Sequence, residues 1–250
     1  MFFMARCILY IMHLSVIIPA YNEEERIGAT LKSIDEYLRS RGHDYEIIVV
    51  SDGSKDNTVQ IVRNLESSIR NLRVVENKEN YGKGHVVKQG MLEARGDFRL
   101  FTDADNSTSI DHIEKMMPYF KKGYGVVIGS IGVPGSKVET GSEPLWRRIF
   151  GKLGNLFIQL LAVPGIHDTQ RGFKLITAKA AQDIFSKMMI ERFGFDIEML
   201  ALARKFGYRI KEVPVDWKND PNSKVGLSAY RQVLWETVKV RWYLIIGKYD

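Results

Sequence analysis

Two aspartates lie at the end of a predicted buried strand, in the sequence RLFTDADNST at residues 99–108. Asp103 and Asp105 flank one small residue, Ala104. Because ligands of open α/β sheets bind at the carboxyl ends of the strands, two carboxylates at this point indicate a site. Carboxylate oxygens suit Mg²⁺ or Mn²⁺, which completes its coordination shell with substrate phosphates. The alternative is a polar surface turn without chemistry, since aspartate is common in turns.

The first predicted strand ends in a turn that carries an aromatic ring and acids instead of glycines. Residues 19–23 read Pro-Ala-Tyr-Asn-Glu, without the G-x-G-x-x-G of a dinucleotide-binding turn, and the sequence contains no P-loop. Nicotinamide-binding Rossmann domains and P-loop enzymes are therefore excluded. An aromatic ring and carboxylates at this turn favour stacking and hydrogen bonding to a nucleobase or ribose.

Strands and helices alternate regularly along the chain, and this alternation predicts the scaffold for these turns. It implies βαβ crossovers and a parallel sheet with helices on both faces, so the predicted fold class is α/β. Loops are predicted at 132–141 and 218–226. The predicted strands are 14–19, 45–50, 72–75, 98–101, 125–129 and 208–213, and the predicted helices are 22–42 with Asn22 as N-cap, 58–69, 82–94, 110–120, 146–163 and 195–206.

The composition is that of a globular protein with an anionic partner. The 250 residues carry a net charge of +6 and a pI near 9.2, which suggests nucleic acid, an anionic membrane surface or a phosphorylated substrate. The basic residues are dispersed without a nucleic-acid-binding motif, so nucleic acid is not expected as a partner. The single cysteine, Cys7, excludes an intrachain disulfide and a Cys-based zinc site, in keeping with a reducing compartment. No segment reaches the roughly 18–20 apolar residues that span a bilayer.

The two ends of the chain are expected to differ from the central domain. Residues 1–12 are apolar and lack a signal-peptide cleavage site, so they represent either an extension packed on the fold or an overcalled start, with Met12 as the true start. At 100° per residue, one helical face within 227–250 is apolar, with Lys239 at its rim. Such a face is typical of an interfacial membrane helix, and the alternative is that it packs on the domain. The face consists of Trp235, Val238, Trp242, Ile245 and Ile246.

Five motifs occur in the order SVIIPAYNEEERI, VVSDGSKDNT, NYGKGHVVKQG, FTDAD and DTQRGFK. In this order and at these spacings they resemble the family 2 inverting glycosyltransferases, which have the GT-A fold. The resemblance implies a GT-A domain at 1–226, with a Rossmann-like, mostly parallel sheet, followed by an amphipathic and possible membrane-associating segment at 227–250. DTQRGFK and the FDIE of 195–198 are most similar to the dolichyl-phosphate β-glucosyltransferase subgroup, and next to the dolichyl-phosphate mannose synthases.

The resemblance implies roles for residues in these motifs. Asp103 and Asp105 would hold Mg²⁺ or Mn²⁺ against the donor diphosphate, where the ion stabilises the leaving nucleoside diphosphate. The nucleotide sugar would contact Pro19, Ala20, Tyr21, Glu23, Asp52, Lys83, Asp103 and Ala104. Phosphate or acceptor contacts would come from Arg147, Arg148, Gln170, Arg171 and Lys224. The catalytic set would be Asp103, Asp105, Arg171 and Asp196, although an ionised lipid phosphate requires no strong general base.

Several of these residues also have a simpler structural explanation. Glycines are common at helix starts, and acids are favoured at N-caps and in first helical turns. The residues with such an alternative are Gly82 and Gly84 as helix entry, Asp56 as a cap, Asp196 and Glu198 as first-turn acids, and Lys224 as a solvated lysine.

The expected function is metal-dependent, inverting transfer of one sugar from a nucleotide sugar to dolichyl or polyprenyl phosphate, which gives a β-linked product. UDP-glucose is favoured over GDP-mannose as the donor. Two positions depart from the pattern, since Ile131 stands where relatives often have arginine and Asn106 where the glucosyl subgroup often has glycine. We expect a peripheral location at the cytoplasmic face of a membrane. The alternative from another class is a non-catalytic module that binds nucleotide sugars.

Overall fold

The computed structural model describes residues 13–139, 145–218 and 227–250. A 3₁₀ turn at Ile110–His112 leads into the fourth helix. The strands are β1 (His13–Ala20), β2 (Asp44–Ser51), β3 (Leu72–Glu76), β4 (Phe98–Thr102), β5 (Val126–Ser130), β6 (Lys137–Glu139), β7 (Phe173–Thr177), β8 (Ile210–Pro214) and β9 (Asp216–Lys218). The helices are α1 (Ile27–Ser40), α2 (Thr58–Leu65), α3 (Lys83–Glu93), α4 (Ile113–Phe120), α5 (Leu145–Leu161), α6 (Ala178–Lys187), α7 (Phe195–Lys205) and α8 (Leu227–Ile245).

The central sheet has seven strands in the order β3-β2-β1-β4-β7-β5-β8. Its neighbouring strands are parallel except at β7, which runs antiparallel to both β4 and β5. The amino end of β7 therefore lies at the same edge as the carboxyl ends of β1, β2 and β4. A separate two-stranded parallel sheet joins β6 to β9. The α/β class with a mostly parallel sheet is confirmed.

Helices cover both faces of the central sheet, as predicted. One core cluster packs Ile17 and Phe101 against α3, α5, α6, α7 and α8, and the other packs Val16 and Leu100 against α1, α2 and α4. These four side chains are at most 1% exposed, and burying an aliphatic or aromatic side chain of this size stabilises the fold by about 1.5–3 kcal/mol. Successive residues of a strand point to opposite faces, and since both faces are covered, β1, β2 and β5 contain uninterrupted apolar runs. In the described ranges, no helix is long and apolar enough to cross a bilayer.

The prediction that Asn22 caps the first helix is wrong. The helix begins at Ile27 with Arg26 at the N-cap position, where no side chain makes a capping bond. Asn22 is left-handed, with φ 55°, and its Oδ1 accepts the N–H of Lys55 at 2.8 Å. Residues 23–26 form a separate turn, in which the N–H of Arg26 donates to the carbonyl oxygen of Glu23 at 3.0 Å, and the hydroxyl oxygen of Thr58 accepts the N–H of Glu23 at 2.7 Å. Of the acids in this segment, Glu24 accepts the N–H of Asn57 at the start of α2 at 3.0 Å, and none lies in the first turn of α1.

The sequence patterns placed the six predicted strands within a few residues of their observed bounds but did not identify β6, β7, β9 or α6. The loop predicted at 132–141 contains β6, and its residues from 140 onward lie outside the described ranges. β7 reads FKLIT, and Lys174 interrupts the apolar run that marks a buried strand. Residues 1–12 and the predicted loop residues from 219 onward also lie outside the described ranges.

Candidate active site

The carboxyl end of β4 meets the amino end of β7 at the edge where the sequence places its aspartates. Asp103 follows β4, and its N–H donates to the carbonyl oxygen of Gly172 at 3.3 Å. In the register next to it, Thr102 pairs with Phe173. The polar segment 168–172 therefore lies beside the predicted metal ligands, because β7 enters the sheet in the opposite direction to β4.

Asp103 and Lys83 form an ion pair at this edge. The Nζ atom of Lys83 lies 2.6 Å from Asp103 Oδ1, and both side chains are about one-third exposed. On the other side of the carboxylate, a Cβ atom on Gly172 would lie 1.9 Å from Asp103 Oδ2. Residue 172 must therefore be glycine to leave room for the Asp103 carboxylate.

Electrostatics keep the Lys83 ammonium charged. Burial alone would lower the pKa of Lys83, but the negative charges of Asp103 and Asp196 outweigh this effect and raise the pKa above its ordinary value. Lys83 therefore supplies a permanent positive charge at the strand edge, where a phosphate group would be stabilised.

The loop that carries Asp105 is fixed to the first helix. The hydroxyl of Thr30 donates to the carbonyl oxygen of Ala104 at 2.7 Å, and the N–H of Ser107 donates to Asp105 Oδ1 at 2.9 Å. Between them, Asn106 has a φ of 54°. Glycine and asparagine adopt this left-handed conformation more readily than other residues, so asparagine is a compatible substitute for the glycine expected here.

Asp196 and Lys174 form a second, deeply buried ion pair. Lys174 Nζ lies 2.6 Å from Asp196 Oδ1, and the two residues are 0% and 4% exposed. The same ammonium donates to the carbonyl oxygen of Arg171. Burial raises the pKa of Asp196, although the charges of Lys174 and Lys83 act in the opposite direction.

Lys174 was not among the predicted site residues, and the structure brings it into the same cluster as Lys83. The two ammonium groups lie 5.5 and 5.4 Å from the centroid of the Phe101 ring, within the range of a cation–π contact. A lysine in the middle of an apolar strand pattern was the available signal, since a buried lysine requires a charged partner. Lys83, Lys174, Asp103 and Asp196 therefore form one charge cluster around Phe101.

Asp52 is buried and bonded to the backbone of the loop that precedes Lys83. Its Oδ1 accepts the N–H of Tyr81 at 2.7 Å, and its Oδ2 accepts the N–H of Gly82 at 3.0 Å. Gly82 has a φ of 113°, which side-chain-bearing residues rarely adopt. A contact from Asp52 to a base or ribose stays a prediction, and the observed bonds give Asp52 a role in shaping the entry to α3.

The turn after β1 places the other predicted nucleotide contacts near Asp52. Pro19 and Ala20 are buried in β1, and the carbonyl oxygen of Ala20 accepts the N–H of Asp52 at 2.8 Å. Tyr21 is 41% exposed, so its ring is accessible for stacking. The carboxylate of Glu23 forms an ion pair with Arg26 at 2.5 Å.

The polar segment before β7 presents Arg171 to the same edge. Its Nε donates to Asp168 Oδ2 at 3.3 Å, and its guanidinium lies 4.5 Å from the centroid of the Trp217 ring. Asp168 Oδ2 also accepts the N–H of Ile131 at 2.9 Å, so residue 131 contributes its backbone to this network. Gln170 is exposed beside it. Lys224 and the side chains of Arg147 and Arg148, which belong to α5, lie outside the described part of the chain.

Comparison with known sequences yields one family model and a set of named relatives. The model of glycosyl transferase family 2 matches residues 15–185. A dolichyl-phosphate β-glucosyltransferase of Dictyostelium discoideum is 36% identical over 248 residues, which cover 94% of this chain and 76% of that protein. The corresponding enzyme of Drosophila melanogaster is 37% identical over 86% of this chain and 69% of its own length. That of Homo sapiens is 33% identical over 85% of this chain and 69% of its own length.

Similar folds occur among solved structures. Glucosyl-3-phosphoglycerate synthase from Mycobacterium tuberculosis, in complex with UDP, superposes with a TM-score of 0.69 at 19% identity, over 92% of this chain and 80% of that one. Mannosyl-3-phosphoglycerate synthase from Rubrobacter xylanophilus has a TM-score of 0.63 at 17% identity, over 95% and 75%. Another structure of the mycobacterial enzyme contains Mn²⁺, UDP-glucose and phosphoglyceric acid. At these identities the likeness establishes the fold.

Proposed function

This chain belongs to glycosyl transferase family 2, as its motifs indicated, and is a glycosyltransferase; we propose that it transfers glucose from a nucleotide sugar to dolichyl phosphate. Support for glucose and for dolichyl phosphate comes from two relatives whose alignments cover 94% of this chain. Both relatives are named dolichyl-phosphate β-glucosyltransferases. UDP-glucose is the proposed donor. GDP-mannose is the alternative donor, and a different polyprenyl phosphate is the alternative acceptor.

The observation that carries the proposal is the charge cluster at the carboxyl end of β4. Asp103 of this cluster and Asp105 two residues later are the proposed ligands of a cation, and Lys83, which is paired with Asp103 and partly exposed, provides a charge for a phosphate. The names of the relatives, which are enzymes, favour an enzyme over a non-catalytic binding module.

Asp103 and Asp105 are the proposed ligands of a divalent cation, Mg²⁺ or Mn²⁺. Among the described residues no three His, Cys, Asp or Glu side chains gather into a metal site. A pair of carboxylates nevertheless fits a cation that takes its remaining ligands from a substrate diphosphate and water. Asp103 Oδ1 is paired with the Lys83 ammonium at 2.6 Å, and the remaining lone pairs of the carboxylate are available for a cation. When bound, the ion would supply Lewis-acid stabilisation to the leaving nucleoside diphosphate.

The proposed reaction is a single displacement. An oxygen of the acceptor phosphate forms the bond to the anomeric carbon while the bond from that carbon to the diphosphate oxygen breaks, and the electron pair leaves with the nucleoside diphosphate. Asp196 is ion-paired and nearly inaccessible, so it is poorly suited to act as a nucleophile. Without a covalent intermediate, an α-linked donor gives a β-linked product.

The other residues are proposed to bind and orient the two substrates. Lys83 and Arg171 would neutralise phosphates of the donor or acceptor, and Tyr21 would stack on the base. Lys174 would hold Asp196 in place and fix the Arg171 carbonyl by its second contact. Because a lipid phosphate is ionised at neutral pH, the proposed reaction needs no proton transfer to a strong base.

The outer face of α8 is the proposed contact with the membrane that contains the lipid acceptor. Trp235, Trp242 and Ile245 are 69%, 58% and 63% exposed. The neighbouring helix α5, which packs on α8, also exposes apolar side chains, including Leu153 and Leu160 at 59% and 75%. Exposed aromatic and aliphatic side chains on helices that do not span a bilayer are typical of interfacial binding. The proposed location is the cytoplasmic face of that membrane, consistent with a chain that contains one cysteine.

The test is to incubate the protein with dolichyl phosphate, Mn²⁺ or Mg²⁺, and either UDP-glucose or GDP-mannose, and to determine the lipid product by NMR. We expect β-linked glucose from UDP-glucose and no product in excess EDTA. β-linked mannose would show that GDP-mannose is the donor and would leave the proposed mechanism in place. An α linkage would contradict a single displacement. Nucleotide binding without any product would favour the non-catalytic module.

A further inference from the structure

Glu198 lies two residues after Asp196 and is 0% exposed. Among the residues that the structure describes, three groups outside the charge cluster donate hydrogen bonds to its carboxylate. Oε1 accepts the N–H of Met189 at 2.9 Å and the hydroxyl of Tyr249 at 2.6 Å, and Oε2 accepts the N–H of Ile190 at 2.8 Å. A buried carboxylate is tolerated only when such donors compensate its lost hydration, so the three donors and Glu198 hold one another in place.

The segment that Glu198 holds, residues 188–192, packs backbone against backbone on the start of α3. A Cβ atom on Gly82 would lie 2.5 Å from the carbonyl oxygen of Glu191, and one on Gly84 would lie 2.6 Å from the carbonyl oxygen of Ile190. The N–H of His85 donates to the Glu191 carbonyl at 3.0 Å. Arg192 Cγ and Phe195 Cβ lie at the same two points, 2.9 and 2.6 Å from those Cβ positions, so the contact leaves no free space and a shift of the 188–192 segment displaces the first turn of α3.

The residue between those two glycines is Lys83. Its ammonium reaches Asp103 Oδ1 at 2.6 Å, and its backbone is fixed on one side by the Asp52 carboxylate bonded to the Gly82 N–H. The 188–192 segment contacts Gly82 and Gly84, the residues that precede and follow Lys83. The position of the Lys83 ammonium at the strand edge therefore depends on a carboxylate that lies outside the site.

The C-terminal end of the chain completes this support. Tyr249 is 1% exposed and belongs to the core cluster together with Val233 and Val240 of α8. A second carboxylate of α8, that of Glu236, accepts the N–H of Gly194 at 2.6 Å, at the start of the helix that carries Asp196. Glu236 of α8 is thus bonded directly to Gly194, and Tyr249 is bonded to the Glu198 carboxylate that holds the 188–192 segment.

We propose that Glu198, fixed by the Tyr249 hydroxyl, is a positioning residue that holds the 188–192 segment against Gly82 and Gly84 and so places the Lys83 ammonium at Asp103. The effect on turnover rests on the proposed function, in which Lys83 acts on substrate phosphates. The effect on the first turn of α3 does not depend on turnover and can be measured separately.

The test compares Tyr249→Phe, which deletes one oxygen atom, with Tyr243→Phe, which deletes a hydroxyl that is not among the three donors to Glu198. Amide hydrogen exchange is followed by mass spectrometry in peptides covering 82–86 and 188–192, with β1 and β2 as internal references. In Tyr249→Phe we expect exchange in the two peptides to accelerate by about tenfold, the order of effect of one hydrogen bond to a charged group. Exchange in β1 and β2 should stay at the wild-type rate.

A second variant, Glu198→Gln, keeps the side-chain volume but replaces one carboxylate oxygen with an NH2 group. This group cannot accept the N–H of Ile190 or Met189, so one of these hydrogen bonds is lost. We expect the same two peptides to exchange faster than in Tyr249→Phe, and kcat to fall by at least tenfold in both variants while the KM for the lipid acceptor changes less than twofold.

Unchanged exchange at 82–86 in both variants would overturn the proposal, and so would uniform acceleration across the sheet or misfolding of Tyr249→Phe, since these indicate a general effect on stability. Localised acceleration in a protein that forms no glycolipid would support the positioning role and contradict the proposed function alone.

Discussion

Lys174 occupies a position where a lysine is stable only because Asp196 neutralises it. The pair is almost completely buried, and removing one member of a buried pair leaves an uncompensated charge. We expect Lys174→Met to lower the free energy of unfolding by about 3–5 kcal/mol, measured by urea denaturation at pH 7. Lys179→Met is the matched control, because Lys179 pairs with Asp183 on an exposed helix surface, and it should leave stability almost unchanged.

The cost of Lys174→Met should depend on pH. Burial raises the pKa of Asp196 in the folded protein, and without Lys174 that pKa should rise further, since the lysine acts to lower it. A group whose pKa is raised by folding stabilises the protein below its unfolded pKa, and this contribution is lost as pH rises through the folded pKa. The stability difference from wild type should therefore grow between pH 5 and pH 8, and a difference that shrinks over this range would contradict the assignment.

Asp105 offers the clearest test of the proposed metal site at the level of one residue. We expect Asp105→Asn to reduce transfer by roughly a thousandfold, because a bound cation is proposed to supply several kcal/mol of transition-state stabilisation. Asp97→Asn is the control, since Asp97 precedes the same strand at its opposite end and is exposed. Initial rates with UDP-glucose, at matched circular dichroism spectra, provide the measurement. Near-wild-type activity of Asp105→Asn, or activity that persists in excess EDTA, would exclude the metal mechanism.

At the scale of elements, α8 has two faces with different partners. Val233 and Val240 of its inner face belong to the core, so deletion of the helix is expected to destabilise the whole domain. Substitutions on the outer face are not expected to destabilise the domain. We expect the double variant Trp235→Ser, Trp242→Ser to lose sedimentation with anionic liposomes and use of the lipid acceptor, while UDP binding and the unfolding transition stay near wild type. Retained liposome binding would show that another surface makes the contact.

The elements that the sequence predicts correctly are those whose pattern is local. Val16, Ile47 and Leu100 lie in short apolar runs bounded by turn residues, and such runs identify buried strands without further information. The aspartates at the end of β4 follow from the same pattern, because a strand end in an α/β sheet is a ligand site.

The elements that the sequence does not predict depend on contacts between distant residues. β7 is a buried strand because Lys174 finds a partner 22 positions later, and strand periodicity contains no information about that ion pair. The start of α1 is displaced because Asn22 bonds to Lys55. The same reason explains why Asp103, Lys83 and Asp196 are individually visible in the motifs, whereas their arrangement around Phe101 is not.

At the scale of the whole molecule, a nucleotide should stabilise the fold in a metal-dependent way. A ligand that binds only the folded state at a hundred times its Kd adds about 2.7 kcal/mol, which raises the Tm of a chain of this size by roughly 5–10 °C. We expect UDP with Mn²⁺ to give a shift of this order in a thermal melt, and UDP alone to give a smaller one. Equal shifts for wild type and Asp105→Asn would indicate that the nucleotide binds without the proposed cation.

The insertion of β7 between β4 and β5 also has a consequence for how the chain reaches its folded state. A chain synthesised from its amino end completes β4 at residue 102 and β5 at residue 130, but the strand that joins them ends at residue 177. Until then both strands expose an edge of unpaired N–H and C=O groups beside apolar side chains, and such edges pair readily with other chains. We therefore expect nascent chains that end between β5 and β7 to be the species most prone to aggregation, and the antiparallel strand that brings the polar segment to the active site to be the one that joins β5 to the rest of the sheet.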